Sequence, residues 1–302
     1  MIIKEISAEL AKEAAKLCRQ SMHNDIMPDF LFREKVFDDI DYMPELNLAA
    51  IDEADGTMAG IISAVIRKSN QNKTGFVKLL SVADSYRRQG IASSLYLQIE
   101  EILTREGVAE IRVYDSVPNY FMPGIDPFYT EAICFFERKG FVKFNDTCNL
   151  LADLLNDTFD TGLDEERLLK DGILVKRACE EDKTMLMDFI NKYFEGWAGE
   201  VTSSFNNSPK TIFIAVQNDE VIAFSAHEGN NKGTGWFGPM GTNPSIRKKG
   251  VGGVLLKKCL KDLKEMGFVK AIIPWVGPIP FYMHYANAKV NRIFWRYKKI
   301  IN

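Results

Sequence analysis

The residues of this 302-residue chain best suited to chemistry are two short basic segments, each placing a glycine just ahead of an amphipathic helix. Ser85-Tyr86-Arg87-Arg88-Gln89-Gly90-Ile91-Ala92 recurs as Ser245-Ile246-Arg247-Lys248-Lys249-Gly250-Val251-Gly252. Arg87 and Arg247 are 160 positions apart, and the register holds without a gap from residues 80–113 to residues 240–273. A helix N-terminus offers unpaired backbone N–H groups and the positive end of the helix dipole. Glycine there lets an anion approach the backbone where a Cβ would keep it away. Ala92 and Gly252 keep the next close point small, and Arg87, Arg88, Arg247, Lys248 and Lys249 supply charge-assisted donors. The chemistry is that of binding a phosphate-bearing ligand, a diphosphate above all.

Neither of two other phosphate loops fits. A Walker loop needs GxxxxGK[ST], and a dinucleotide fold needs GxGxxG after its first strand with an acid downstream. A repeat of this length also means two copies of one domain and not a short-period solenoid.

The elements that must position the turns follow from periodicity. In the first half, residues 1–5 read as a strand, 8–22 and 31–41 as helices, and 46–53, 58–68 and 74–82 as successive antiparallel strands with turns at Asp55-Gly56 and residues 69–72. A helix over 89–106 then turns Ile91, Leu95, Ile99, Ile102 and Leu103 to one face. A strand at 110–114, a helix at 129–139 and a strand at 141–150 complete the half. The cycle restarts with a strand at 173–177, a helix at 180–194, strands at 211–217, 221–227 and 236–241, a helix at 250–266, a strand at 269–274, a short helix at 280–286 and a closing strand at 288–298. The charged stretch 154–171 reads as the connection, giving domains 1–153 and 172–302.

Composition sets the class. Hydrophobic residues at 46% with 26% charged are those of a soluble globular protein, and a net charge of −3 argues against nucleic acid or an anionic membrane as partner. The five cysteines form no CxxC pair, and no apolar stretch is long enough for a signal or a membrane span, so reduced thiols and a cytoplasmic protein are expected. The three histidines are scattered, and no metal site is expected.

Arg-x-x-Gly-x-Gly/Ala, after a strand and opening a helix, resembles the acyl-CoA-binding motif of the GCN5-related N-acetyltransferase (GNAT) family. The order of elements extends the resemblance over most of both halves. It implies an α/β protein of two tandem domains, each with a mixed sheet that splays after its fourth strand. Acetyl-CoA would lie in that V, with its diphosphate on the turn at Gly90 or Gly250. Its pantetheine would run beside Leu80-Ser81-Val82 or Met240-Gly241-Thr242, where a backbone N–H would polarise the thioester carbonyl as an oxyanion hole does. Gln89, Ile91 and Val251 belong to the same two cradles.

The resemblance also implies a tyrosine, in a helix reading roughly Tyr-Glu-Lys-Leu-Gly-Phe, that protonates the departing thiolate. A phenol with an ordinary pKa of about 10 suits that role. The first copy has Phe136 there, in Phe135-Phe136-Glu137-Arg138-Lys139-Gly140-Phe141, with Tyr129 earlier on the helix as a substitute. The second has Tyr282, in a run one residue longer with Asn287 for the glycine, and Tyr285 is the fallback. The second domain is therefore expected to catalyse, with His227 and Glu228 as candidate bases, and the first to bind CoA or act as a scaffold. The expected reaction transfers acetyl to a small primary amine. The alternative is a non-catalytic acyl-CoA-binding protein with both sites degenerate.

Overall fold

The computed structural model describes residues 1–69, 72–246 and 249–301, so Asn70 and Gln71 of the expected turn, and Arg247 and Lys248, lie outside the described residues. The chain divides into two compact units. Unit 1 is Met1–Thr147 with Phe294–Asn302, and unit 2 is Cys148–Ile293.

Unit 1 begins with β1 (Ile2–Glu5), α1 (Ala11–Ser21) and α2 (Asp29–Val36), followed by β2 (Asn47–Ile51), β3 (Met58–Ser69) and β4 (Asn72–Val82). These four strands pair antiparallel in chain order. Helix α3 (Ile91–Arg105) then crosses to β5 (Glu110–Val113), which runs parallel to β4. Ile91, Leu95, Ile99 and Leu103 recur at four-residue spacing and are all buried, which holds α3 against the sheet. Gly107, at φ 72°, ends that helix in the left-handed region. Helix α4 (Thr130–Arg138) and β6 (Val142–Asp153) follow.

One irregular feature shapes the unit. The β4–β5 ladder runs from Thr74 opposite Glu110 to Val77 opposite Val113 and stops, while β3 stays paired with β4 as far as Val82. Tyr114 donates its N–H to the Val77 carbonyl at 2.8 Å, takes φ 69°, and turns the chain away. Residues 79–82 thus keep one edge that no strand covers. The register against β3 also shifts here, leaving Lys78 bulged between Val77 and Leu79.

The other edge of β5 is covered by the end of β12 (Lys289–Ile300), with Lys298 opposite Arg112 and Ile300 opposite Glu110. Phe294 and Tyr297 of this segment enter the unit 1 core, and the Tyr297 hydroxyl donates to Glu137 at 2.9 Å.

Unit 2 repeats the plan. After α5 (Gly162–Lys170) come β7 (Leu174–Arg177), α6 (Lys183–Tyr193), α7 (Ala198–Phe205), β8 (Ile212–Gln217), β9 (Glu220–His227) and β10 (Phe237–Thr242), the four strands forming a sheet in the order β10-β9-β8-β7. Then follow α8 (Val251–Glu265), β11 (Lys270–Ile273) and α9 (Ile279–Ala286). Strand β11 meets the β10 side by a single parallel bridge, Trp236 to Ile272, and pairs antiparallel with residues 150–153 of β6.

The division into units differs from the expected spans. Residues 154–171 are not a free connection, because Leu154, Phe159 and Leu168 are buried in the unit 2 core among the charged residues that made the stretch look solvated. Residues 294–302 belong to unit 1, and α7, masked by its glycine and serines, was not foreseen. All five cysteines are free, and among the described residues no helix is long and apolar enough to cross a membrane.

Truncating Phe294, which is fully buried, removes a large core ring, so Phe294→Ala should destabilise unit 1 by about 3–5 kcal/mol. Hydrogen exchange should rise at Glu110–Val113 and leave β8 and β9 unchanged. Unaltered exchange in β5 would contradict this account.

Candidate active site

The expected cradle of the first copy lies in a cleft of about 640 Å³ in unit 1. Its walls are Leu80–Val82 of β4, the turn through Arg87, Arg88 and Gly90, the start of α3 at Ile91–Ser93, and one face of α4. Gly90 is the N-cap of α3 at φ 84° and ψ −4°, and no side chain caps the helix. The first-turn N–H groups therefore have no side-chain acceptor, as an anion site requires. A Cβ built on Gly90 would meet nothing within 4 Å, so the approach to the backbone is open. Arg87 is held at the turn by Asp84 at 2.9 Å, Arg88 takes φ 64°, and the Gln89 amide donates to the Ser85 carbonyl at 2.9 Å. Arg138 and Lys139 add positive charge from α4.

Two further groups in this cleft point to a ligand. The Ser81 hydroxyl is buried with no hydrogen-bond partner, an arrangement that costs on the order of 1–3 kcal/mol unless something bonds to it. Tyr129 stands at the N-cap of α4, where its hydroxyl donates to Asp25 Oδ2 at 2.6 Å and accepts from the Asn24 amide at 3.1 Å. Phe136 is fully buried between Tyr96 and Phe141 and offers no proton. These residues fit acetyl-CoA: an open glycine turn for the diphosphate, an uncovered strand edge for amide groups, and a phenol within the cleft.

In unit 2 side chains stand close to the corresponding glycines. Gly250 repeats the N-cap geometry at φ 84° and ψ −3°, yet the Arg167 guanidinium lies 2.8 Å from where its Cβ would be and donates to the Lys249 carbonyl at 3.2 Å. The Phe194 ring sits 2.6 Å from the Cβ position of Gly241, beside Met240 and Thr242 on β10. Phe281 of α9 and Met240 lie 3.5 and 3.6 Å from the Cβ position of Gly252, and the Tyr285 ring presses on Gly253, next to the buried Val251. Helix α9 thus lies with its aromatic rings on the start of α8, where the matching space of unit 1 is open.

The matches to known proteins follow the same division. The model of the Acetyltransferase (GNAT) family matches residues 16–121 and again residues 177–282, together more than half of the chain. The chain belongs to the GNAT family. No curated protein matches it significantly. Among solved structures, a GCN5-related glucosamine N-acetyltransferase region of a fungal multi-domain GH3 β-N-acetylglucosaminidase superposes with a TM-score of 0.83 at 20% identity, covering 99% of this chain. The chain spans 38% of that fungal protein. A GNAT protein from Sphaerobacter thermophilus gives 0.72 at 15% identity, covering 99% of this chain and 95% of its own. A tandem GNAT protein from the clavulanic acid biosynthesis pathway gives 0.66 at 13%, covering 99% and 98%. At these identities the likeness is one of fold: two GNAT domains in one chain.

Within this tandem GNAT protein, three expected catalytic residues of unit 2 are enclosed. Tyr282 is 9% exposed, packs edge-on against Phe237 and Phe281, and is pushed up to about 12 by burial. Its hydroxyl has no hydrogen-bond partner among the described residues. His227 is fully buried with Nε2 2.8 Å from Asp262, itself held by Arg177 at 2.5 Å, so it ties β9 to α8. Glu228 is buried at φ 51°, its carboxylate accepting the Gly233 and Trp236 amides, and burial raises its pKa. Sequence spacing gave no sign of Asp25, 104 residues from Tyr129, nor of the rings of Phe194 and Phe281 that fill unit 2. Among the described residues no group of three or more His, Cys, Asp or Glu is placed to hold a metal.

The bulge that precedes the cleft is pinned by charge. The buried Lys78 ammonium bonds to Asp39, and Asp39 also receives Arg67 at 2.5 and 2.7 Å. Burial pulls the Lys78 amine down to about 7 against the attraction of Asp39. For Asp39, burial works against ionisation, but Arg67 and Lys78 prevail and hold it at about 2. A carboxyl with a folded pKa below its unfolded value stabilises above pH 4, and that stabilisation disappears as pH falls from 4 to 2. The amount is on the order of 2 kcal/mol. Urea midpoints at pH 5 and pH 2.5 should differ less in Asp39→Asn than in the parent, and equal pH dependence would remove Asp39 from the acid transition.

Proposed function

We propose that the chain is an acetyl-CoA-dependent N-acetyltransferase whose cofactor site is the unit 1 cleft, with unit 2 a domain of the same fold whose corresponding space is filled. This reverses the expected assignment of the chemistry to the second domain. The observation that carries it is the contrast between the two glycine turns. At Gly90 the approach is open and leads to an uncovered strand edge, whereas at Gly250 it meets the Arg167 guanidinium.

Acetyl-CoA, when bound, supplies an activated acetyl group as a thioester. Gly90 and the first N–H groups of α3 would hold the diphosphate, with Arg87, Arg88, Arg138 and Lys139 supplying charge. The free edge of Leu80–Val82 would meet the pantetheine amides, and the Ser81 hydroxyl would gain a partner there. In this reading the Tyr129 hydroxyl would hand a proton to the departing thiolate, with Asp25 holding the ring oxygen in position. A small primary amine remains the acceptor class. Five free cysteines favour a reducing compartment such as the cytoplasm.

Gly90→Glu and Gly250→Glu separate the two units. Thiol release from acetyl-CoA with a panel of amines should fall at least 100-fold in Gly90→Glu, and the rise in melting temperature given by CoA should vanish with it. Gly250→Glu should keep both within about threefold, and Tyr282→Phe should turn over normally. A hundredfold loss in Tyr282→Phe would return the chemistry to unit 2. Binding of CoA with no turnover of any amine would favour the purely binding protein.

A further inference from the structure

We propose that Cys134 is a thiolation site in the unit 1 cleft: it exchanges with the disulfide of an anionic low-molecular-weight thiol, and the mixed disulfide shuts the cofactor out. The proposal rests on the reading of unit 1 as the cofactor cleft. The side of α4 that lines this cleft carries Thr130, Glu131, Cys134, Phe135, Arg138 and Lys139, at the three- and four-residue spacing of one helical face. Cys134 stands one turn from Thr130 and one turn from Arg138, and it is exposed. The Ser81 hydroxyl, on a residue only 5% exposed, lines the same cleft and has no hydrogen-bond partner. A buried hydroxyl left in that state calls for a ligand in the space that the thiol borders.

The other four cysteines are poorer targets. Cys18 and Cys259 are fully buried, and burial pushes both thiols up to about 12. Cys179 donates its thiol to Asp182 at 2.9 Å, and Cys148 packs half-buried on the unit 2 core. Charge selects the disulfide. Arg87, Arg88, Arg138 and Lys139 line the cleft with Glu131 the one carboxylate among its lining residues, a balance that draws anions. In the exchange the Cys134 thiolate attacks one sulfur of the small disulfide. A new S–S bond joins that half to the protein, the original S–S bond breaks, and the other half leaves as a thiolate that takes up the proton Cys134 gave up. Any such adduct occupies part of a cleft of about 640 Å³ that CoA also needs.

The probes are CoA disulfide, glutathione disulfide and the cationic disulfide cystamine, each added to the full chain. Modified peptides are followed by mass spectrometry, with rates scaled to those of free cysteine. Cys134 should react at least tenfold faster than Cys148 or Cys179. Both anionic disulfides should outpace cystamine at Cys134 at least tenfold, by a margin that shrinks at high salt, and the faster of the two identifies the source. Saturating CoA should slow the reaction at least tenfold. Treatment should abolish the rise in melting temperature given by CoA, and a dithiol reductant should restore it. Cys134→Ser, compared with itself before and after treatment, should keep its response to CoA. Earlier reaction at Cys148 or Cys179, cystamine as fast as the anions, or equal loss of the CoA response in Cys134→Ser overturns the site. CoA that binds yet leaves Cys134 unprotected also overturns it, while the cofactor reading stands. Loss of CoA binding in Gly250→Glu but not in Gly90→Glu would instead overturn the cofactor reading, and the site with it.

Discussion

A parallel ladder that ends after four pairs is the constraint around which unit 1 is organised. From Thr74 to Val77 the amides of β4 are satisfied by β5, and beyond that point the two strands part. Buried backbone donors and acceptors are almost always paired, because leaving one unpaired costs about as much as a lost hydrogen bond. The separation at Tyr114 therefore leaves this edge to other partners, among them Arg87, which donates to the Val82 carbonyl at 3.4 Å. The bulge at Lys78, locked by Asp39 and Arg67, keeps this stretch from closing back into regular pairing. The glycine turn follows directly, so the uncovered edge and the anion cradle lie along one line of chain.

In unit 2, among the described residues, β11 meets the β10 side by one parallel bridge, and Phe194 lies against Gly241 where the register places Ser81 in unit 1. The N-cap backbone is preserved to within a degree at Gly250, while the side chains around it differ. The φ and ψ of a helix cap depend on local residues, and the surroundings of the cap depend on distant ones.

That distinction explains what was legible beforehand. Strand and helix order could be read, since Ile91, Leu95, Ile99 and Leu103 carry helical period in the chain itself. The cradle at Arg87–Ala92 could be read because its chemistry is contiguous. Which copy was open could not. Tyr282 matched its motif position and still lies in the core, whereas Tyr129, off the motif, meets a carboxylate from the loop after α1. Long-range pairings such as these leave no periodic trace. The stretch 154–171 misled for the opposite reason, since its charged residues outnumber the three apolar ones that hold it down.

The last residues of the chain bear on how the molecule is made. Residues 294–302 supply the strand beside β5 and two aromatic rings of the unit 1 core, while unit 2 is built from one uninterrupted stretch, Cys148–Ile293. During synthesis the second unit has all of its residues before the first does. Unit 1 must wait with an exposed strand edge until residues 294–302 have been made, which inverts the usual order in which domains complete from the N-terminus. Over that interval β5 is open to pairing with another chain, so the charged residues along it, Glu110 and Arg112, also serve as its guard.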